Sequence, residues 1–274
     1  MDEIKITPLG TVSSYCKGNM NCPGFFVENN HNKILLDCGN GIIRYLNLVK
    51  DLNNLTIIIS HLHKDHYGDL LNIAQTSYVL KRLGYLQEKI KVYIPKGDKI
   101  SVKEDYKDND GLETTKTVRK NLIDFDYIMD LSKVGYLEII PYDNNSRLKF
   151  SDMKLSFSKN PHQIITYSTK LETEELKLVY SSDTGYYGNS LEEFAKDANL
   201  LICESTFLRG QIKSEDSHLF AYEAGLIAKN ANVEKLLLTH FWPEIDKQNY
   251  VDEAKEYFDN VEAAIEGKVL RLKK

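Results

Sequence analysis

Several signals that would assign this chain to a familiar class are missing. Its 274 residues contain no run of about 18 or more apolar residues, the length a membrane-spanning helix needs. The start, Met1-Asp2-Glu3-Ile4-Lys5, has neither the basic nor the apolar region of a secretory signal. A cytoplasmic protein with no membrane partner is therefore expected. Basic residues are not in excess: Lys+Arg 35 against Asp+Glu 40 gives a formal charge of −5. The surface as a whole thus has no long-range attraction for a nucleic-acid polyanion. Cysteine is scarce, and Cys16, Cys22, Cys38 and Cys203 have neither the number nor the spacing of a disulfide framework or a CxxC zinc clamp. Reduced thiols are expected. No internal repeat and no low-complexity segment is visible, and the length suits one domain, residues 1–274.

What is present is histidine in an unusual arrangement. Of seven histidines, three fall in the hexapeptide His61-Leu62-His63-Lys64-Asp65-His66. Imidazole and carboxylate at its first, third, fifth and sixth places are hard to explain as core filling, and together they offer ligands for two divalent cations. His31, in the turn Asn29-Asn30-His31-Asn32, reads as structural.

Periodicity predicts strands at Ile4 to Leu9, Phe25 to Glu28, Lys33 to Asp37 and Leu55 to Ser60. The last is almost wholly apolar and branched, as a strand covered on both faces should be, and His61 follows it. The same juxtaposition recurs where Lys154 to Ser158 precedes His162, Leu176 to Tyr180 precedes Asp183, and Leu236 to Leu238 leads through Thr239 to His240. Four strands thus deliver these side chains at or beyond their C-terminal ends, where layered α/β folds gather functional groups. Helices are expected at Ile42 to Val49, Gly68 to Leu83, Ser190 to Ala198 with Ser190 and Glu193 as a capping box, Leu219 to Asn230, and Val251 to Ile265. The architecture implied is two sheets between layers of helix. Residues 96–135 are crowded with charge around an amphipathic stretch from Val118 to Leu131 and read as an insertion. A helical excursion over the surface is expected there, with a lid over the site as the alternative.

In an extended segment His61 and His63 point the same way and can reach one ion, which His162 would complete. Asp65 and His66, at the entrance to the next helix, can turn to a second ion with His240. Asp183 is the natural bridge, since a carboxylate can offer one oxygen to each cation. Each ion then has three ligands of its own and one shared, with room for water.

The segment Ser60-His61-Leu62-His63-Lys64-Asp65-His66-Tyr67-Gly68-Asp69 resembles the HxHxDH signature of the metallo-β-lactamase superfamily. The later order is similar too: an isolated His162, then Ser182-Asp183-Thr184-Gly185, then Thr239-His240-Phe241. So is Leu35-Leu36-Asp37-Cys38-Gly39, where Asp37 would be a carboxylate behind the ligands. The resemblance implies the four-layer αββα sandwich of that superfamily, an α/β fold, with 96–135 the main stretch left unmatched. A narrower match, Glu204-Ser205-Thr206-Phe207, then Ser217-His218-Leu219-Phe220-Ala221-Tyr222-Glu223-Ala224-Gly225, resembles the ribonuclease Z and cyclic phosphodiesterase branch. That match implies that His218 contacts the scissile phosphate, and Glu204 would orient it.

The function implied is a dinuclear hydrolase, a phosphodiesterase acting on a small cyclic nucleotide or related diester. Two cations lower the pKa of a shared water from roughly 15.7 toward about 7, so that hydroxide attacks in line. Asp65 would accept a proton while binding metal, and His218 would stabilise the transition state or protonate the leaving oxygen. Zn²⁺ is the expected cofactor, with Mn²⁺ as the alternative, because imidazole at His63 disfavours the di-iron relatives that carry glutamate there. The competing readings are a ribonuclease Z-type transfer-RNA 3′-processing endonuclease and a carboxyl-ester or thioester hydrolase. Against the first, 20 residues between His162 and Asp183 leave no room for a long protruding arm. The partner is expected to be a small phosphodiester, with RNA second. Dimers are common in the family resembled, so a homodimer is compatible with this reading.

Overall fold

Leu55-Thr56-Ile57-Ile58 and Leu236-Leu237-Leu238-Thr239 are buried at every position, as strands covered on both faces must be. They lie inside two seven-stranded sheets of a computed structural model that describes residues 3–97, 99–107, 113–121, 123–212 and 217–274. In the first half of the chain the strands are β1 (Glu3–Gly10), β2 (Gly24–Glu28), β3 (Lys33–Leu36), β4 (Leu55–Ile58), β5 (Ile90–Pro95), β6 (Lys99–Lys107), β7 (Glu113–Asn121) and β8 (Leu137–Tyr142). Then come β9 (Arg147–Phe150), β10 (Met153–Lys159), β11 (Tyr167–Glu172), β12 (Lys177–Tyr180), β13 (Leu200–Glu204), β14 (Leu236–Thr239), β15 (Val261–Ala263) and β16 (Leu270–Lys273). One sheet has the order β16-β1-β2-β3-β4-β5-β8 and the other β15-β14-β13-β12-β11-β10-β9. β3, β4, β5 and β8 run parallel in one and β12 to β15 in the other, whereas β10, which precedes His162, is antiparallel to both its neighbours.

The helices are α1 (Leu48–Asp51), α2 (Lys64–Tyr67), α3 (Leu70–Arg82), α4 (Ile123–Val134), α5 (Ser190–Ala195), α6 (Ala221–Asn230) and α7 (Lys247–Lys255). Three apolar layers follow from the alternation of side chains in the strands. Phe25, Leu36 and Ile58 meet Phe157, Leu178 and Ile202 between the sheets. Ile57 packs outward with Leu70 and Ile73 of α3, and Leu201 with Ala224 and Ile227 of α6. This is the αββα sandwich. Each of these Leu, Ile and Phe side chains, when fully buried, contributes roughly 1.5–3 kcal/mol, which holds a polar centre in place at one end of the sandwich. Among the described residues, no helix is long and apolar enough to cross a membrane.

Several elements differ from expectation. The helix expected over Ile42 to Val49 is a 3-10 turn, Ile42–Tyr45, followed by α1. Asn47 interrupts it, its side chain accepting from the Lys50 N–H to start a new turn. α5 ends at Ala195, before Asp197 at φ 54°. Ser190 lies within α5 and not at its cap, which is Asn189, so no Ser190–Glu193 box forms. The helix expected from Val251 starts at Lys247, where the Asp246 side chain accepts from the Gln248 N–H, and ends at Lys255. Val261–Ala263 is instead an edge strand, because it pairs with the exposed side of β14.

The stretch 96–135, expected as an insertion, lies between β5 and β8, which pair in parallel from Ile90↔Leu137. Its first part is not helical: β6 and β7 form a hairpin registered from Lys99↔Asn121 to Lys107↔Glu113. α4 opens only at Ile123, so Val118 to Asn121 belong to β7. Asp98, 108–112 and Leu122 lie outside the described residues.

Candidate metal centre

Every residue expected at the site is brought to one end of the sandwich. His61 and His63 follow β4 in extended chain, His63 at φ −82°, ψ 142°, and α2 carries Asp65 and His66. His162 follows β10, Asp183 follows β12, and His240 follows β14. Asp37, Ser182 and His240 adopt left-handed backbone, φ 59°, 53° and 64°. Such residues cost of the order of 1–3 kcal/mol each and persist only where the surrounding packing enforces them.

The ligand atoms of His61, His63, His162 and Asp183 lie within 4.8 Å of one another, as do those of Asp65, His66 and His240. Asp183 stands between the two groups. Its Oδ2 is 3.5 Å from His61 Nε2 and 3.9 Å from His162 Nε2, while Oδ1 is 3.3 Å from His66 Nε2 and 3.1 Å from His240 Nε2.

Four of the five ligand rings are held by the far nitrogen. His66 Nδ1 donates to Asp37 Oδ2 at 2.7 Å, and His162 Nδ1 donates to the Ser217 carbonyl at 2.8 Å. Thr206 Oγ1 donates to Glu204 and so accepts from His240 Nδ1 at 2.8 Å. Ser60 Oγ donates to Asp37, receives Ser182 Oγ, and lies 3.1 Å from His61 Nδ1. These partners fix the proton on Nδ1 and leave the Nε2 lone pairs facing inward. His63 turns the other way, its Nδ1 lying 3.0 Å from His61 Nε2 and 3.2 Å from His162 Nε2.

This arrangement fits two divalent cations. Ring nitrogens converge on one another without a shared proton donor, and the buried Asp183 Oδ1 has no hydrogen-bond partner. Burial lowers the pKa of His61, His63 and His162, His63 to about 4, so these rings are neutral and free to ligate. Burial also opposes the charged forms of His66 and Asp183. Even so, the Asp183, Asp37 and Asp65 carboxylates raise His66 well above its usual range, so that a cation there displaces a proton from Nε2, and His240, His66 and His61 hold Asp183 well below its own. Imidazole-rich donor sets of this kind suit first-row transition-metal cations more than hard oxygen-seeking ions such as magnesium or calcium.

Asp183, His218 and His240 form a third grouping within 4.8 Å. Nδ1 of His218 is already committed, however, donating to Glu204 Oε1 at 2.9 Å. Glu204, at the end of β13, also accepts from the N–H groups of Thr184, Thr206 and Leu219. His218, His63, Asp65 and Asp183 line a cleft of about 460 Å³ together with Ser13, Ser14 and Asn40. Ser13 Oγ donates to Asp65 Oδ2 at 3.3 Å.

Sequence reasoning did not single out Ser60, Ser182, Thr206, Tyr180 or Ser13. The signal available for the first two was their position immediately before His61 and Asp183. Tyr180, whose hydroxyl donates to Asp37 at 2.7 Å, had none. His31 sits in an exposed turn with its N–H on the Asn29 side chain. The four thiols are free, with Cys16 exposed and the others buried.

A family model described as Anti-Pycsar protein Apyc1 matches residues 4–262. The chain is 26% identical to the probable metallo-hydrolase YhfI of Bacillus subtilis over 257 residues, covering 93% of this chain and 94% of that protein. It is 27% identical to a ribonuclease Z of Archaeoglobus fulgidus over 295 residues, covering 93% of this chain and 94% of that protein. The crystal structure of YhfI from Bacillus subtilis, a metallo-β-lactamase fold protein, superposes with a TM-score of 0.80 at 23% identity, covering 99% of this chain and 100% of that one.

Proposed function

The chain belongs to the Anti-Pycsar protein Apyc1 family, within the metallo-β-lactamase superfamily, and on that premise we propose that this metal-dependent hydrolase cleaves a small phosphodiester, a cyclic nucleotide or a close relative. The observation that carries the reading is the position of Asp183, with one oxygen toward each histidine group and a cleft beside them lined by His218.

His61, His63 and His162 would hold one cation, Asp65, His66 and His240 the other, and Asp183 both. Bound there, the cations lower the pKa of water from 15.7 toward about 7 and neutralise charge that builds on phosphoryl oxygens. Asp65 stays ionised, because His66 and His240 offset the cost of its burial, and so can accept a proton from the attacking water. His218, anchored through Nδ1 on Glu204, keeps its other nitrogen for the leaving oxygen. Asp37 takes no part in the chemistry. It accepts from Ser60, His66 and Tyr180, and so orients the rings that do.

The likeness to an archaeal ribonuclease Z supports RNA cleavage as a second reading. Against it, β11 and β12 occupy most of the chain between His162 and Asp183 as a hairpin paired from Thr169↔Tyr180 to Glu172↔Lys177, which leaves no long arm at that place in the chain. Zinc- and manganese-loaded protein should be assayed side by side on 2′,3′- and 3′,5′-cyclic nucleotides, bis-p-nitrophenyl phosphate and precursor transfer RNA. Turnover of the cyclic diesters is expected; precursor cleavage without it reverses the ranking.

A further inference from the structure

The cleft does not end at the ligands. Three of its lining residues, Asn40, Lys64 and Asp124, also border a second compartment of about 480 Å³ whose other walls include Tyr67, Leu71 and Tyr127. This space is mostly apolar, and two of its large side chains stand open beside the charged centre. Tyr127 of α4 is 44% exposed and Leu71 of α3 is 48% exposed. Large apolar groups left open beside a polar cleft mark a place where something docks. The polar groups at the seam are arranged as well. Tyr67 is buried and hydrogen-bonds to Asp124. The hydroxyl donates, so the carboxylate is fixed in place with acceptor capacity to spare. Lys64 is exposed and, among the described residues, pairs with no carboxylate. Asn40 sits where a Cβ on residue 68 would stand, 1.5 Å from its Oδ1, so Gly68 is what allows it at this rim.

We infer that this compartment is the nucleobase subsite of a cyclic-nucleotide substrate, with the base against the Tyr127 ring, its N–H groups toward Asp124, and Lys64 at the seam beside the phosphoryl group. The inference rests on the phosphodiesterase reading and adds where the base is held. A cyclic nucleotide has one hard anionic end and one planar end with apolar faces, joined by a ribose. The protein offers a cation-binding centre and an aromatic-walled space with a common rim. Asp124 also faces the centre, where it would repel a phosphate; the base, whose edge carries N–H donors, is the part of the substrate it accepts. Tyr127 serves any base, since each has a π-face, and Asp124 discriminates among their edges. The insertion therefore acts on specificity through α4.

The test uses zinc-loaded protein, as wild type and as Tyr127→Ala, Tyr127→Phe and Asp124→Asn. Calorimetry compares nucleoside 5′-monophosphates with ribose 5-phosphate, which lacks the base, and steady-state kinetics follow 3′,5′-cyclic nucleotides. Wild type should bind the nucleotides about tenfold more tightly than ribose 5-phosphate, and Tyr127→Ala should abolish that margin while Tyr127→Phe keeps it. Tyr127→Ala should raise KM about tenfold with kcat nearly constant, and Asp124→Asn should reorder the four bases. Equal affinity for nucleotide and ribose phosphate in the wild type, or an unchanged KM in Tyr127→Ala, overturns the inference. A wild type that prefers nucleotides yet hydrolyses no cyclic diester upholds the subsite and removes the phosphodiesterase reading. Hydrolysis without base preference does the reverse.

Discussion

Oε1 of Glu204 lies 2.9 Å from Nδ1 of His218, with the carboxylate wholly withdrawn from water. Burial works against charge on this imidazole, yet the Glu204 carboxylate raises its pKa to about 9. The imidazolium therefore persists through neutral pH as a proton donor for a leaving oxygen, and it is lost as pH rises through that value. The stability the pair contributes has the same sign: it is fully present below the unfolded value of 6.5 and lost as pH rises through about 9.

We expect kcat to fall above that pH in the wild type and Glu204→Gln to bring the fall to lower pH. His218→Ala should lower kcat roughly 10²- to 10⁴-fold with metal content unchanged. Rate profiles against pH, with metal analysis of each variant, check this. A Glu204→Gln profile superimposable on wild type would refute the coupling.

Gly39 carries a different prediction. A Cβ at this position would stand 2.2 Å from the Asp65 carbonyl oxygen and 2.6 Å from the Cys22 carbonyl carbon, both backbone atoms that cannot yield. Gly39→Ala should push the segment after β3 away from α2 and cost about 1–3 kcal/mol or more. Because Asp37, two residues earlier, holds His66, activity should fall further than stability alone explains. Urea unfolding read beside kcat measures both, and an unchanged midpoint contradicts the packing.

Metal removal should be visible in the stability of the fold. Asp37, Asp65 and Asp183 are buried around one set of imidazoles, and a cation present at 100 times its dissociation constant adds about 2.7 kcal/mol. Chelation should therefore lower Tm by about 5–10 °C, and added Zn²⁺ should restore it. Asp183→Asn, which keeps the volume and loses the charge, should show little response to either treatment. Equal melting of wild type with and without chelator would argue against resident metal.

The chemistry was more legible in the sequence than its supports. His61, His63, Asp65 and His66 stand out because few other demands place four such groups in six residues, and His162, Asp183 and His240 because each follows an apolar strand. Their positions mark strand ends, so the layered fold was legible with them. The hydroxyls that orient the rings obey no spacing rule: Tyr180 reaches Asp37 from the opposite sheet, and Thr206 reaches His240 from a neighbouring strand end. The β6–β7 hairpin was hidden because a charged two-stranded ribbon has no apolar periodicity to announce it. β15 was absorbed into the preceding helix pattern because its pairing with β14 is a tertiary choice that overrides local preference.

Anomalous diffraction at the zinc edge, from crystals grown with zinc, decides whether two cations flank Asp183. We predict two peaks, one among His61, His63 and His162 and one among Asp65, His66 and His240, with an Asp183 oxygen toward each. A single peak, or zinc bound only elsewhere on the chain, contradicts the dinuclear centre.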